Sequence, residues 1–200
     1  MGEKYLDEVF LEKKKEYELL EYLKEKKKYD EKLYEYIRAG SADIGGREVK
    51  FHYERFFNSL SLAIPDELKS SDIDENNKIF SSEIKDLNLI LTRIESTPKE
   101  LTLKEYKEGL AEKMKKYAGL PLKWVEEGVK IKDKYKITYV SFLNPVDDIK
   151  SYNFIFYLVI ESSTIMINFN CMGDRINEWD SVGKGIMECL EVFSDERERE

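Results

Sequence analysis

The sequence predicts an α+β protein: an antiparallel β-sheet meander with two packed helices, preceded by an N-terminal helical arm. Three observations predict it. Residues 3–38 are rich in Glu, Lys and Leu and contain neither Gly nor Pro, the composition of a long helix. From residue 49 the apolar period changes to two: Val49, Phe51 and Tyr53 alternate with Lys50, His52 and Glu54. Between residues 122 and 171 four strand-like runs follow one another through turns too short for parallel crossovers.

The arm is assigned to residues 1–38. Leu6, Val9, Phe10, Tyr17, Leu20 and Leu23 recur at helical spacing, and Leu33, Tyr34 and Ile37 carry a second stretch. Lys26-Lys27-Lys28 and Asp30 blur the stripe between them, so the region reads as one bent helix or two in tandem, with Asp30 as a cap. Lys13, Glu16, Lys27 and Asp30 fall on the would-be heptad seam, which argues against a long coiled coil. A helix this charged is marginal alone. Burying Leu6, Phe10, Leu20 and Leu23 would contribute about 1.5–3 kcal/mol each, so the arm needs a surface to dock on. Residues 39–47 hold three glycines among small polar residues and read as a linker.

The main domain is assigned to residues 48–193. Val49–Tyr53 and Leu60–Ile64 read as a hairpin stopped by Pro65, and the polar residues 66–78 as a loop. Ile79–Ser82 and Leu87–Ile94 read as two further strands. Thr102-Leu103-Lys104-Glu105 fits a capping box, and Tyr106, Leu110, Met114 and Tyr117 continue on one helical face until Gly119 and Pro121. Four strands follow at about 122–131, 134–143, 151–160 and 163–171, with Gly128 marking a bulge in the first. Trp179, Val182, Ile186, Leu190 and Phe193 outline a closing amphipathic helix. Residues 194–200 form a charged tail.

Three stretches carry a resemblance: Asn58–Pro65, the helix opened by Thr102–Glu105, and Thr164–Phe169 followed by Trp179–Phe193. Their order over about residues 50–193 is similar to the PsbP/DcrB-like fold, which includes the Ran-binding MOG-type proteins. The resemblance implies a protein that binds partners. It also brings in chaperones that shelter hydrophobic segments of secreted toxins. Fold alone does not fix function.

Composition narrows the function classes. A net charge of −8 disfavours nucleic acid and the anionic membrane surface. The longest apolar run, Phe154–Ile160, is far too short to cross a bilayer. The first residues carry no apolar stretch of a signal peptide, and with only Cys171 and Cys189 no disulfide framework is expected; both point to the cytoplasm.

The search for chemistry yields no catalytic, cofactor or metal site. His52 is the only histidine, and one His with two distant Cys cannot build a usual zinc site. Gly183-Lys184-Gly185 lacks the lead-in and the Ser/Thr of a phosphate loop, and its glycines read as close-packing positions in the closing helix. Asp72, Asp74 and Glu75, and Asp147 with Asp148, lack calcium-loop spacing. Lys13–Lys15 and Lys26–Lys28 are flanked by Glu and read as solvated faces.

Aromatic density is the remaining unusual feature. Phe51, Tyr53, Phe56, Phe57, Tyr139, Phe154 and Phe156 are candidates for gripping a partner if helices cover only one face of the sheet; Leu6, Phe10 and Leu20 are candidates on the arm. For any single ring, core packing outweighs this by about two to one. The expected function is a non-catalytic protein-binding adaptor or chaperone, with a secreted effector or toxin as one class of partner. The alternatives are a structural subunit of a secretion or phage-like assembly that forms homo-oligomers through the arm, and an unrecognised hydrolase.

Overall fold

The computed structural model describes residues 2–83, 86–95, 102–118, 122–146 and 149–193, without the side chains of residues 2–12, 72, 114, 116–118, 145–146 and 149. The tail from 194, and Gly119 and Pro121, lie outside the described residues.

The arm is one continuous helix, α1 (Gly2–Ala39), not two. Residues 13–25 are all exposed. Towards its C-terminal end Leu33 and Ile37 are buried, and here α1 packs on the closing helix.

The segment 39–47, expected as a linker, holds strand β1 (Ser41–Ile44), paired antiparallel with β2 (Arg47–Phe56). The physical reason is the glycine pair. Gly45 and Gly46 take φ of 61° and 80°, the conformation of a two-residue hairpin turn, and the Asp43 carboxylate accepts the Gly46 N–H at 3.0 Å. Ala42 and Ile44 are the buried positions of β1.

β2 continues into β3 (Leu60–Pro65) as the expected hairpin. The presumed loop after Pro65 contains a short strand, β4 (Lys69–Asp72), before β5 (Asn77–Ser81) and β6 (Leu87–Glu95). Helix α2 (Leu103–Ala118) opens on a true capping box. The Thr102 N–H donates to Glu105 Oε2 at 2.9 Å, and the Glu105 N–H donates to Thr102 Oγ1 at 3.2 Å.

The meander β7 (Lys123–Lys132), β8 (Tyr135–Val146), β9 (Ile149–Ile160) and β10 (Ser163–Met172) follows. The bulge in β7 lies between Trp124 and Glu126, not at Gly128. Gly128 instead pairs with Tyr139, where a Cβ would sit 2.5 Å from the tyrosine oxygen. A short 3₁₀ turn leads into α3 (Ile176–Cys189), which stops short of Phe193. Glu191–Val192 form β11, paired with β3, so Phe193 is not on the helix.

The strands form two antiparallel sheets: β1-β2-β3-β11, and β4-β5-β6-β10-β9-β8-β7. One face of the larger sheet meets the smaller sheet, α3 and the end of α1 in the main core, around Phe154, Phe156, Phe169 and Trp179. The other face carries Val140, Phe142 and Ile155 under Leu103, Tyr106 and Leu110 of α2. Both faces are therefore covered over β8 and β9.

Candidate functional site: the arm and its seat on the closing helix

Close approach brings the arm onto α3. A Cβ at Gly185 would lie 2.5 Å from Ile37 Cδ1 and 3.0 Å from Tyr34 Cδ1, so a larger residue would have to displace the Ile37 and Tyr34 side chains of α1. One residue pair earlier, Gly183 lets α3 sit on the sheet, with a Cβ there 2.9 Å from Phe169 Cδ1. The Gly-Lys-Gly motif is thus a packing device that serves the sheet on one side and the arm on the other.

Polar contacts extend the seat. Lys26 Nζ of α1 donates to Asp30 Oδ2 at 3.3 Å and to Ser181 Oγ of α3 at 3.1 Å, and Ser181 Oγ donates to Asp30 Oδ1 at 2.6 Å. Lys26 also lies 3.6 Å from Asp180. Asp180 accepts the Tyr152 hydroxyl at 2.5 Å and Lys184 Nζ at 3.0 Å, and Lys184 reaches Glu126 of β7 at 2.5 Å. Burial pushes the Tyr152 hydroxyl pKa far up, and the Asp180 charge adds to this, so Tyr152 stays a neutral donor. Burial works against the Lys184 charge, but Asp180 and Glu126 outweigh it and raise its pKa. The network ties α1, α3, β7 and β9 together.

Beyond this seat the arm continues into solvent. Tyr17, Leu19, Leu20, Tyr22 and Leu23 are each half or more exposed, between 50% and 62%. Residues 2–25 would extend about 36 Å at the helical rise. Five large apolar side chains within seven residues are exposed here, a density of the kind that marks an interaction surface, and Tyr22 among them also borders a cleft against α3.

The strand aromatics are placed differently from the expectation of a gripping face. Phe154 and Phe156 are fully buried, their rings 5.8 Å apart, and Phe51 and Phe56 are buried as well. Phe57 and Tyr139 pack half-buried against the same core. The reason is that α2 covers one face of the larger sheet while α3 and the small sheet cover the other, and Phe51 and Phe56 of the small sheet join that same core. Of the strand rings proposed as contacts only Tyr53 is exposed, at 39%. Its hydroxyl is pushed up to about 12, first by burial and then by Cys189. On the arm Leu20 is exposed, while the side chains of Leu6 and Phe10 lie outside the described residues. Sequence reasoning did not single out Leu19, Tyr22, Asp180 or Ser181; it read Asp30 as a cap and Lys26 as part of a solvated face, whereas Asp30 lies inside the continuous helix and both residues bond to α3. The i, i+4 spacing of Lys26 and Asp30 was a visible signal; their partners on α3 were not.

His52 sits on the solvated face of β2, with Nδ1 2.7 Å from Asp66 Oδ1 and Nε2 3.7 Å from Glu54. Cys171 and Cys189 are buried free thiols, and burial pushes Cys171 up to about 12. Among the described residues no group of three His, Cys, Asp or Glu side chains could hold a metal ion, and no helix is long and apolar enough to cross a membrane.

Two sheets, the larger sandwiched between α2 and α3, define a PsbP/Mog1-type α+β fold. The cyanobacterial PsbP (CyanoP) of Synechocystis sp. PCC 6803 is one similar solved structure: TM-score 0.60, 12% identity, 72% of this chain and 92% of that chain covered. The Saccharomyces cerevisiae Ran-binding protein MOG1P is another, with TM-score 0.54, 8% identity, and 72% and 96% of the two chains covered. No protein-family model matches the sequence, and no curated protein matches it significantly.

Proposed function

We propose that this protein is a non-catalytic adaptor or chaperone of the cytoplasm that binds another protein through the exposed half of its arm. One observation carries the reading: α1 is anchored at its C-terminal end by Gly185 and the Lys26–Asp30–Ser181 contacts, while Tyr17, Leu19, Leu20, Tyr22 and Leu23 stand uncovered. A helix held out from a rigid domain with Leu19, Leu20 and Leu23 exposed offers apolar anchors to a partner's groove or helix face. Ran binding by MOG1P is an instance of partner binding on a related fold, and supports the reading only as an analogy. A secreted effector with a hydrophobic segment is the finer partner class we favour. The hydrolase reading has little support, because the His52–Asp66 pair lies on an open strand face.

The test is co-expression with the products of the neighbouring genes in the native host. The wild-type chain should form a complex that survives gel filtration. Leu20→Glu with Leu23→Glu should dissolve it while leaving the melting temperature unchanged. A chain that elutes alone with every neighbour would end this reading. If deleting residues 1–24 lowers the oligomer mass instead, the arm serves self-assembly.

A further inference from the structure

The larger sheet ends at β7, whose outer edge has no paired strand among the described residues. Two clefts flank this edge, one on each face of the sheet. On the α2 side a groove of about 490 Å³ is lined by Leu103, Lys107, Ala111 and Trp124. On the α1 and α3 side a cleft of about 570 Å³ is lined by Tyr22, Tyr29, Val125, Ile176 and Asp180. The faces of β7 follow from its contacts. Glu126, Lys130 and Lys132 reach α3, while Trp124 and Glu127 meet Lys107 of α2. Val129 and Ile131 lie two and four residues past Glu127, hence on the α2 side, and are 50% and 65% exposed.

We propose that β7 accepts an extended segment of a partner protein as an added strand. The inference rests on the protein-binding reading; it shares Tyr22 with the exposed residues of the arm, whereas Leu20 and Leu23 line neither cleft. Side chains of an added strand point alternately to opposite faces, so successive residues would enter the two clefts in turn. The α2-side groove is largely apolar and selects an aliphatic or aromatic side chain, which Val129 and Ile131 would flank. The opposite cleft carries Glu25, Lys26 and Asp180 beside its tyrosines and selects polar residues. Charge sets the end of the segment. Lys130 and Lys132 are engaged by Glu188 of α3, while Lys134 is exposed at the β7–β8 turn in a chain of net charge −8. An acidic residue of the partner belongs there. The bulge at Val125 and the lysines also keep the edge from pairing indiscriminately. Glu126–Lys132 keep regular pairing with β8 and offer seven residues of straight template.

The experiment pans a random twelve-residue phage-displayed peptide library on the full chain, then measures the enriched peptides, fluorescein-labelled, by anisotropy. Enriched peptides should alternate apolar and polar residues and end in Asp or Glu. Val129→Lys with Ile131→Lys should weaken them at least tenfold, while Leu20→Glu with Leu23→Glu leaves them bound. In the wild-type chain, hydrogen exchange across 123–132 should slow when peptide is added, a readout that needs no variant. No enrichment, enriched peptides indifferent to the β7 substitutions, or unchanged exchange in β7 would each overturn the proposal. Peptides lost only in the arm variant would overturn it while upholding the adaptor reading.

Discussion

Gly185 of α3 faces Ile37 of α1 so closely that a methyl group would displace the Ile37 side chain: a Cβ at 185 would lie 2.5 Å from Ile37 Cδ1. This contact fixes where the arm leaves the domain. Gly185→Ala should destabilise the protein by about 1–3 kcal/mol, the usual range for an overpacked contact. Ile37→Ala makes space, so the double variant should recover part of that loss in a double-mutant cycle by urea denaturation. An equal cost of Gly185→Ala in both backgrounds would show that the contact is not what holds the arm.

Ser181 links the helices through hydrogen bonds with Asp30 and Lys26. Ser181→Ala should cost about 0.5–1.5 kcal/mol. The loss should be local, read as faster hydrogen exchange in residues 26–37 with the exchange of the sheet unaltered. Uniform acceleration across the domain would contradict a local latch.

Phe154 is fully buried, whereas Tyr53 is 39% exposed. Phe154→Ala should cost about 3–5 kcal/mol as a cavity in the core. Tyr53→Ala should cost far less, nearer the small effects of surface substitutions. Denaturation midpoints of the two variants check this. Similar small costs would return Phe154 to the list of gripping residues.

Asp86 pairs with Arg175 and accepts the Ser82 hydroxyl at 2.6 Å. Burial acts to raise its pKa, but the Ser82 hydrogen bond and the Arg175 charge outweigh it, so the folded value lies below the ordinary 3.8. A carboxyl with a depressed folded pKa contributes its stability in full above the unfolded value and loses it as pH falls through the folded one. Melting temperature should therefore drop from about pH 4 downward, and Asp86→Asn should flatten that part of the profile. Profiles of the two proteins that coincide below pH 4 would remove Asp86 from the account.

The parts of the fold legible in the sequence were those written locally. Thr102 and Glu105 announced a capping box because both partners lie within one turn. Gly183 and Gly185 were readable as packing positions because a glycine pair in an apolar helix has few other uses. β1 and β4 were not legible: the first lies in a glycine-rich stretch, and the second, Lys-Ser-Ser-Asp, has no apolar pattern because it forms the sheet's outer edge. The burial of Phe154 and Phe156 depends on α2 and α3 taking opposite faces, which no alternation within β9 reveals. The seat of the arm joins residues about 150 positions apart, and pairing over that distance leaves no trace in local spacing.

The most direct measurement places a photo-crosslinking amino acid at Leu20 in the native host, with Lys69 on the short strand β4 as the control position. The account predicts one protein joined to the chain from position 20 and none from position 69. Equal labelling from both positions, or none from position 20, would contradict a partner held by the arm.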